Sequence, residues 1–238
     1  MKIFDGHIHI ETGLEKYDLS IQGGNVIFNH FEEYHQYRKN VPKGYSVTLI
    51  LDFKNQFGEL KKILAADDQI TTLKIHSRIQ QLTSTDYPLL HEKLNELPAH
   101  LSVIYDAFYF GMDMEFQPNL PALCSLLKKN PNRKFIIAHS GGYEMLKYIF
   151  HLREFKNVYY DLSLSHQYLS DSSVFPDMKK LIRFTSKDRI LFGSDYPFAS
   201  PKGEYNILQG IFNELKLSSE EQENISFNNA NTIFKLKK

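Results

Sequence analysis

The chain of 238 residues has no tryptophan and a single cysteine, Cys124. One thiol excludes an internal disulfide and favours a reducing, cytoplasmic setting. An excess of charge is also missing. Lys plus Arg and Asp plus Glu number 28 each, which removes the usual electrostatic footprint of a nucleic-acid or anionic-membrane partner. No run approaches the roughly 18 apolar residues of a membrane span. The opening MKIFDGHIHIETG lacks the apolar stretch of a signal peptide. No GxGxxG follows the first strand-like run, no GxxxxGK[ST] occurs, and there are no internal repeats, low-complexity blocks or Pro/Ser-rich linkers. What remains is a chain with 42% hydrophobic residues, enough for one sizeable core and read as a single domain over residues 1–238.

The apolar residues fall into a rhythm. Short β-branched runs (KIFDGHIHI, YSVTLILDF, TTLKIHS, LSVIYDAF, KFIIAHSGG, NVYYDLSL and RILFGSD) alternate with helix-like segments such as QFGELKKILAA, LPALCSLLKK and VFPDMKKLIRF. Ser218, followed three residues later by Glu221, predicts a capping box at the start of a last helix. Strand alternating with helix argues for parallel strands joined by right-handed crossovers. Seven strands are clear, and GGNVIF is the candidate eighth. The expected fold is therefore α/β: a compact (β/α)8 TIM-type barrel, regular or slightly irregular. An open doubly wound sheet is the competitor. The barrel is preferred because nearly every run ends in a residue able to do chemistry, namely His9, Asp52, Lys74 and His76, Tyr105 and Asp106, His139, Asp161 and Asp195. In a barrel these carboxyl ends ring one mouth.

The first run raises its own question. Asp5, His7 and His9 alternate with Phe4 and Ile8, so the three polar side chains share one strand face. Buried polar groups require partners, either a hydrogen-bond network or a metal ion. Zinc and similar ions take imidazole and carboxylate ligands, and His7, His9, His139 and Asp195 supply both types at strand ends. Lys74 and His76 share a strand face by the same two-residue rule. Arg78 offers a fork of donors that suits a substrate carboxylate, or a place on the surface. Lys74, His76 and Arg78 are thus the candidate substrate-binding residues. His30, His35, His91, His100 and His151 read as surface or packing residues, and His166 as one within reach of the mouth. Asp161 and Asp52 read as residues that orient the mouth, and Cys124 as a packed helical residue.

The pieces DGHIH, LKIH, AHSGG, NVYYDLS and RILFGSDYPF, in this order over residues 5 to about 198, resemble the amidohydrolase superfamily of metal-dependent barrel enzymes, specifically its amidohydrolase-2 branch. The resemblance implies a (β/α)8 barrel with His7 and His9 as first-strand metal ligands. It implies that Asp195 is a metal ligand that takes the proton of an attacking water, and that His139 is a catalytic acid/base or a second-metal ligand. The family's fifth-strand histidine is missing. Tyr105 or Asp106 stands there; Asp106 is the better substitute ligand, and loss of the ligand is the alternative. A middle-strand lysine, carbamylated in some branches, corresponds to Lys74. The implied activity is metal-dependent hydrolysis of a small-molecule amide, lactone or ester, with zinc, or else manganese, as the divalent cofactor. The rivals are a decarboxylase or hydratase on the same centre and a degenerate, non-catalytic binding barrel. The expected partner is a small-molecule substrate, not nucleic acid or a membrane, and a homo-oligomer is left open.

Overall fold

The computed structural model describes residues 2–10 and 21–236. Eight parallel strands follow one another around a single sheet in sequence order. They are β1 (Phe4–His9), β2 (Gly23–Phe28), β3 (Ser46–Ile50), β4 (Ile70–Ile75), β5 (Ser102–Asp106), β6 (Phe135–Ala138), β7 (Val158–Asp161) and β8 (Ile190–Leu191). GGNVIF does supply the missing strand, β2, between the first and third. Among the described residues the helices are α1 (Phe31–Tyr37), α2 (Phe57–Ala66), α3 (Tyr87–Asn95), α4 (Leu120–Lys129), α5 (Met145–Leu152), α6 (Ser165–Tyr168), α7 (Phe175–Phe184), α8 (Pro201–Leu215), α9 (Ser219–Glu223) and α10 (Asn229–Ile233). The fold is a (β/α)8 TIM-type barrel.

Local chemistry sets the helix ends. Asn119 accepts the Ala122 N–H at 2.9 Å, Pro121 follows in the first turn of α4, and Lys128 and Lys129 face the carboxyl end of its dipole. Leu120, Leu123, Leu126 and Leu127 form its buried stripe. Ser218 and Glu221 make the expected reciprocal capping box ahead of α9.

The seam between the last strand and the first is distinctive. β8 is only two residues long, and closure relies on the segment that follows it. Gly6 N–H donates to Phe192 O at 3.0 Å, Asp195 N–H to His7 O at 2.8 Å and His9 N–H to Tyr196 O at 2.7 Å. Asp5 reinforces the seam by accepting Ser194 N–H and Oγ–H. Two apolar clusters result. The larger fills the space between strands and helices. The smaller gathers Phe4, Ile27, Ile104, Ile136, Ala138 and Leu191 under Ala230, Ile233 and Phe234 of the C-terminal segment. Ile104 and Asp106 share a face of β5, so two residues of strand separate this apolar cluster from the polar mouth.

Candidate metal centre and active site

The mouth is a cavity of about 630 Å³, within the range of small-molecule sites. His9, Lys74, His76, Asp106, His139 and Asp195 supply its polar lining. Ile79, Phe108, Phe110, Leu164, Tyr168 and Phe198 supply apolar walls, and Asn29 and Arg78 complete it.

β1 carries His7 and His9 to one side of the seam, and the turn after β8 carries Asp195 to the other. One ligand atom from each of the three lies within 4.8 Å of the others, close enough for a single divalent ion. The donor set fits such an ion on an independent observation. His7 Nδ1 is 2.6 Å from Asp161 Oδ2, to which it donates its proton. Burial pushes His7 down to about 4, despite Asp161, so the ring is neutral near pH 7. Its buried Nε2 then carries a lone pair without a hydrogen-bond partner, 3.3 Å from Asp195 Oδ1. His9 Nε2 lies 3.3 Å from the same oxygen. A lone pair facing a carboxylate is repulsive, and a cation between them removes the repulsion. A carboxylate behind a ligating imidazole also fixes its tautomer and raises its basicity. Burial alone would raise the Asp195 carboxyl, but the protonated His139 and the His9 imidazole hold it below the usual carboxylate range.

Gly193 makes the His7–Asp161 contact feasible. A Cβ there would stand 2.5 Å from Asp161 Oδ1 and 3.0 Å from the His7 Cβ. Ser163 completes this inner web, donating Oγ–H to Asp161 Oδ2 at 2.7 Å while its own N–H donates to Asp161 Oδ1 at 2.9 Å.

His139 occupies an unusual backbone. Residues 139 to 142 all have positive φ: 54°, 51°, 93° and 55°. Asp195 also lies in the left-handed region, at φ 66°. Non-glycine residues there cost on the order of 1 kcal/mol each and are concentrated at functional sites. A Cβ on Gly141 would lie 2.5 Å from the Tyr148 ring, so glycine is required twice over, by conformation and by space. The turn aims His139 Nδ1 at Ser163 O, 3.0 Å away, and its Nε2 toward Asp106 Oδ2 at 3.6 Å. Burial lowers the affinity of this imidazole for a proton. Asp195, Asp106 and Asp161 more than offset that and hold it up at about 9.

Beside this centre lies an ion-pair group around Asp106 Oδ2, with Lys74 Nζ at 3.3 Å, His76 Nε2 at 3.5 Å and His139 Nε2 at 3.6 Å. Burial opposes ionisation of Asp106, but the Lys74 ammonium and the protonated His139 hold its carboxyl well below the usual range. Burial pushes His76 down to about 3, so it stays neutral. The choice between Tyr105 and Asp106 is settled as to direction. Tyr105 turns into the strand–helix layer, where its hydroxyl meets Tyr87 Oη at 2.7 Å and accepts Asn119 N–H at 2.7 Å. Asp106 faces the mouth, outside the compact group formed by His7, His9 and Asp195.

Other residues singled out in the sequence lie elsewhere. His166 is buried outside the cavity lining, bonded through Nδ1 to Glu204 at 2.8 Å. Asp52 accepts the Lys54 and Asn55 N–H groups in a turn. Cys124 is half-buried on α4. The sequence reading did not pick out Ser163, Gly193 or the aromatic walls. A glycine directly before SDYP was the one available cue.

The chain belongs to the amidohydrolase family, whose sequence model (Amidohydro_2) matches residues 50–236. β1, with His7 and His9, precedes the matched stretch, so this candidate pair rests on the geometry above. No curated protein matches the sequence significantly. Solved structures similar in fold include an uncharacterized TIM-barrel protein, Bb4693, from Bordetella bronchiseptica, with 16% identity, 98% of each chain covered and a TM-score of 0.73. The inactive dihydroorotase-like domain of a Chaetomium thermophilum CAD-like multifunctional protein shows 11% identity over 100% of this chain and 79% of that one, at a TM-score of 0.69. A 2,6-dihydroxybenzoate decarboxylase from Rhizobium shows 15% identity over 99% of both chains, at a TM-score of 0.64. No helix among the described residues is long and apolar enough to cross a membrane.

Proposed function

We propose that the protein is a single-domain, cytoplasmic, metal-dependent hydrolase of a small-molecule amide, lactone or ester. The observation that carries this reading is the unpartnered His7 Nε2, fixed by Asp161 and facing His9 and Asp195 beside an accessible cavity. His7, His9 and Asp195 would hold the ion, zinc or else manganese, with Asp106 as the fifth-strand group that supports it directly or through a water. When bound, the ion acidifies water and polarises a carbonyl. Asp195, ionised and at the edge of the cavity, accepts the proton of the attacking water. His139 keeps its proton at neutral pH and delivers it from Nε2 to the developing oxyanion or leaving group, while Ser163 O holds Nδ1. Lys74 contributes through Asp106, which it holds ionised beside His139, and the neutral His76 faces the same carboxylate oxygen.

One observation favours a second reading. A protonated His139 beside apolar walls also suits decarboxylation, in which that proton replaces the departing carboxylate on carbon. The first experiment is metal analysis of protein purified without added metal. About one equivalent of zinc or manganese supports an enzyme, and none, even after reconstitution, favours a binding barrel without catalysis. A screen of lactones, amides, esters and carboxylates by acid release and by CO₂ release then separates hydrolysis from decarboxylation.

A further inference from the structure

Arg78 is the one charged side chain of the cavity lining that the centre and the Asp106 group leave unused. It lies three residues beyond β4, half-buried among Ile79, Phe108 and Phe110. Its guanidinium carbon stands 5.6 Å from the Phe110 ring centroid, and Nη1 donates to Phe110 O at 3.5 Å. Nε is buried and has no hydrogen-bond partner, and among the described residues Arg78 forms no ion pair. Lys74, by contrast, already has Asp106.

A buried guanidinium N–H without an acceptor is costly unless something occupies it. The ring and carbonyl of Phe110 flank the head and limit its freedom. The free Nε belongs to an edge that matches a carboxylate through two parallel hydrogen bonds. A phosphate generally calls for further cations or a helix N-terminus, and here the other cationic side chains of the lining, Lys74 and the protonated His139, already face Asp106. Charge points the same way. Lys74, the protonated His139 and a divalent ion together outweigh Asp106 and Asp195, so the occupied cavity is positive and Arg78 has no anion of its own. The cavity that Arg78 shares with the polar group has aromatic walls, with the Phe108 ring edge-on to Tyr168 at 5.4 Å and to His139 at 5.5 Å.

We propose that Arg78 forms an anion subsite for a carboxylate that the substrate carries in addition to the group that reacts. The preferred substrates are then short, largely apolar amides, lactones or esters with a free carboxylate. This rests on the metal-centre reading above and refines it.

The test uses hydroxamates, which bind an active-site metal whether or not the substrate is known. On zinc-loaded protein, 3- or 4-carboxybenzohydroxamate should bind at least tenfold more tightly than benzohydroxamate by calorimetry. That ratio should fall below twofold in Arg78→Met and be partly kept in Arg78→Lys, which retains the charge without the fork. The proposal is overturned if neither carboxylate probe gains over benzohydroxamate, or if the gain persists in Arg78→Met. Failure of benzohydroxamate itself to bind the zinc-loaded parent would count against the metal centre instead. In that event the subsite is decided on chelator-treated protein by benzoate against benzamide. A benzoate preference lost in Arg78→Met upholds it, and no preference overturns it.

Discussion

Asp106→Asn is the substitution that separates the two roles its carboxylate can play. The change keeps the shape and removes the charge. Lys74 and Asp106 have side-chain exposures of 2% and 4%, so the Lys74 ammonium would be left buried with no anion at 3.3 Å. Breaking a buried pair from one side costs about 3–5 kcal/mol. With a urea m-value of about 2.5 kcal/mol/M, the unfolding midpoint of the metal-free protein should fall by roughly 1–2 M. Adding Lys74→Met should return most of that loss, because the two changes share one interaction. Metal affinity is the second readout. Two neutral imidazoles and Asp195 leave a divalent ion with a net charge near +1, and a nearby carboxylate brings it near zero. Competition with a chelator should therefore show at least tenfold weaker zinc binding in Asp106→Asn, with Asp106→His restoring it. A urea midpoint within about 0.3 M of the parent would refute the ion-pair argument. Unchanged zinc affinity alongside a lowered midpoint would make Asp106 the counter-ion of Lys74 and not a support of the metal.

His7→Ala and His9→Ala should each abolish tight zinc binding by calorimetry while the melting transition stays cooperative, since neither side chain belongs to the apolar clusters. Gly193→Ala should destabilise the protein by about 1–3 kcal/mol in urea and weaken zinc binding, because the added methyl forces Asp161 away from His7. The metal-free protein should be most stable near pH 6.5. His139, held up at about 9, contributes stability that is complete below its unfolded value of 6.5 and is lost as pH rises toward 9. His7 and His76, pushed down to about 4 and about 3, are more easily protonated when unfolded, so stability also declines as pH falls below 6.5. Urea midpoints from pH 5 to 9 that rise monotonically would contradict this pair of assignments.

The barrel was legible because its signals are local. Apolar runs, the Asn119–Pro121 start of α4 and the Ser218–Glu221 box each lie within a few residues of one another. β2 was less plain because two glycines open it, and the Cβ positions of both would collide with neighbouring rings, those of Phe4 and Tyr45. β8 is shorter than RILFGSD suggests. Beyond Leu191 the backbone turns to β1, and Phe192 N–H donates to Ile225 O. The metal-ligand candidates could be read from strand-end periodicity and resemblance. Their supports could not. Asp161 meets His7 across 154 positions, and Glu204 meets His166 across 38, and no spacing in one sequence announces such contacts. His166 illustrates the cost of reading proximity from chain position. It follows a mouth strand by a few residues, yet the short α6 turns it under α8.

The seam has a consequence for how the protein is made. His7 and His9 are synthesised well before Asp195, and the backbone bonds that bring them together are those between Gly6, His7 and His9 and the 192–196 segment. A nascent chain therefore offers only a loose pair of imidazoles to passing metal ions, and the full clasp forms when the last strand docks against the first. An ion seated there ties the two ends of the sheet to each other and resists the opening motion in which the terminal strand peels away. Metal loading would thus mark a closed barrel, and metal removal would first release the seam.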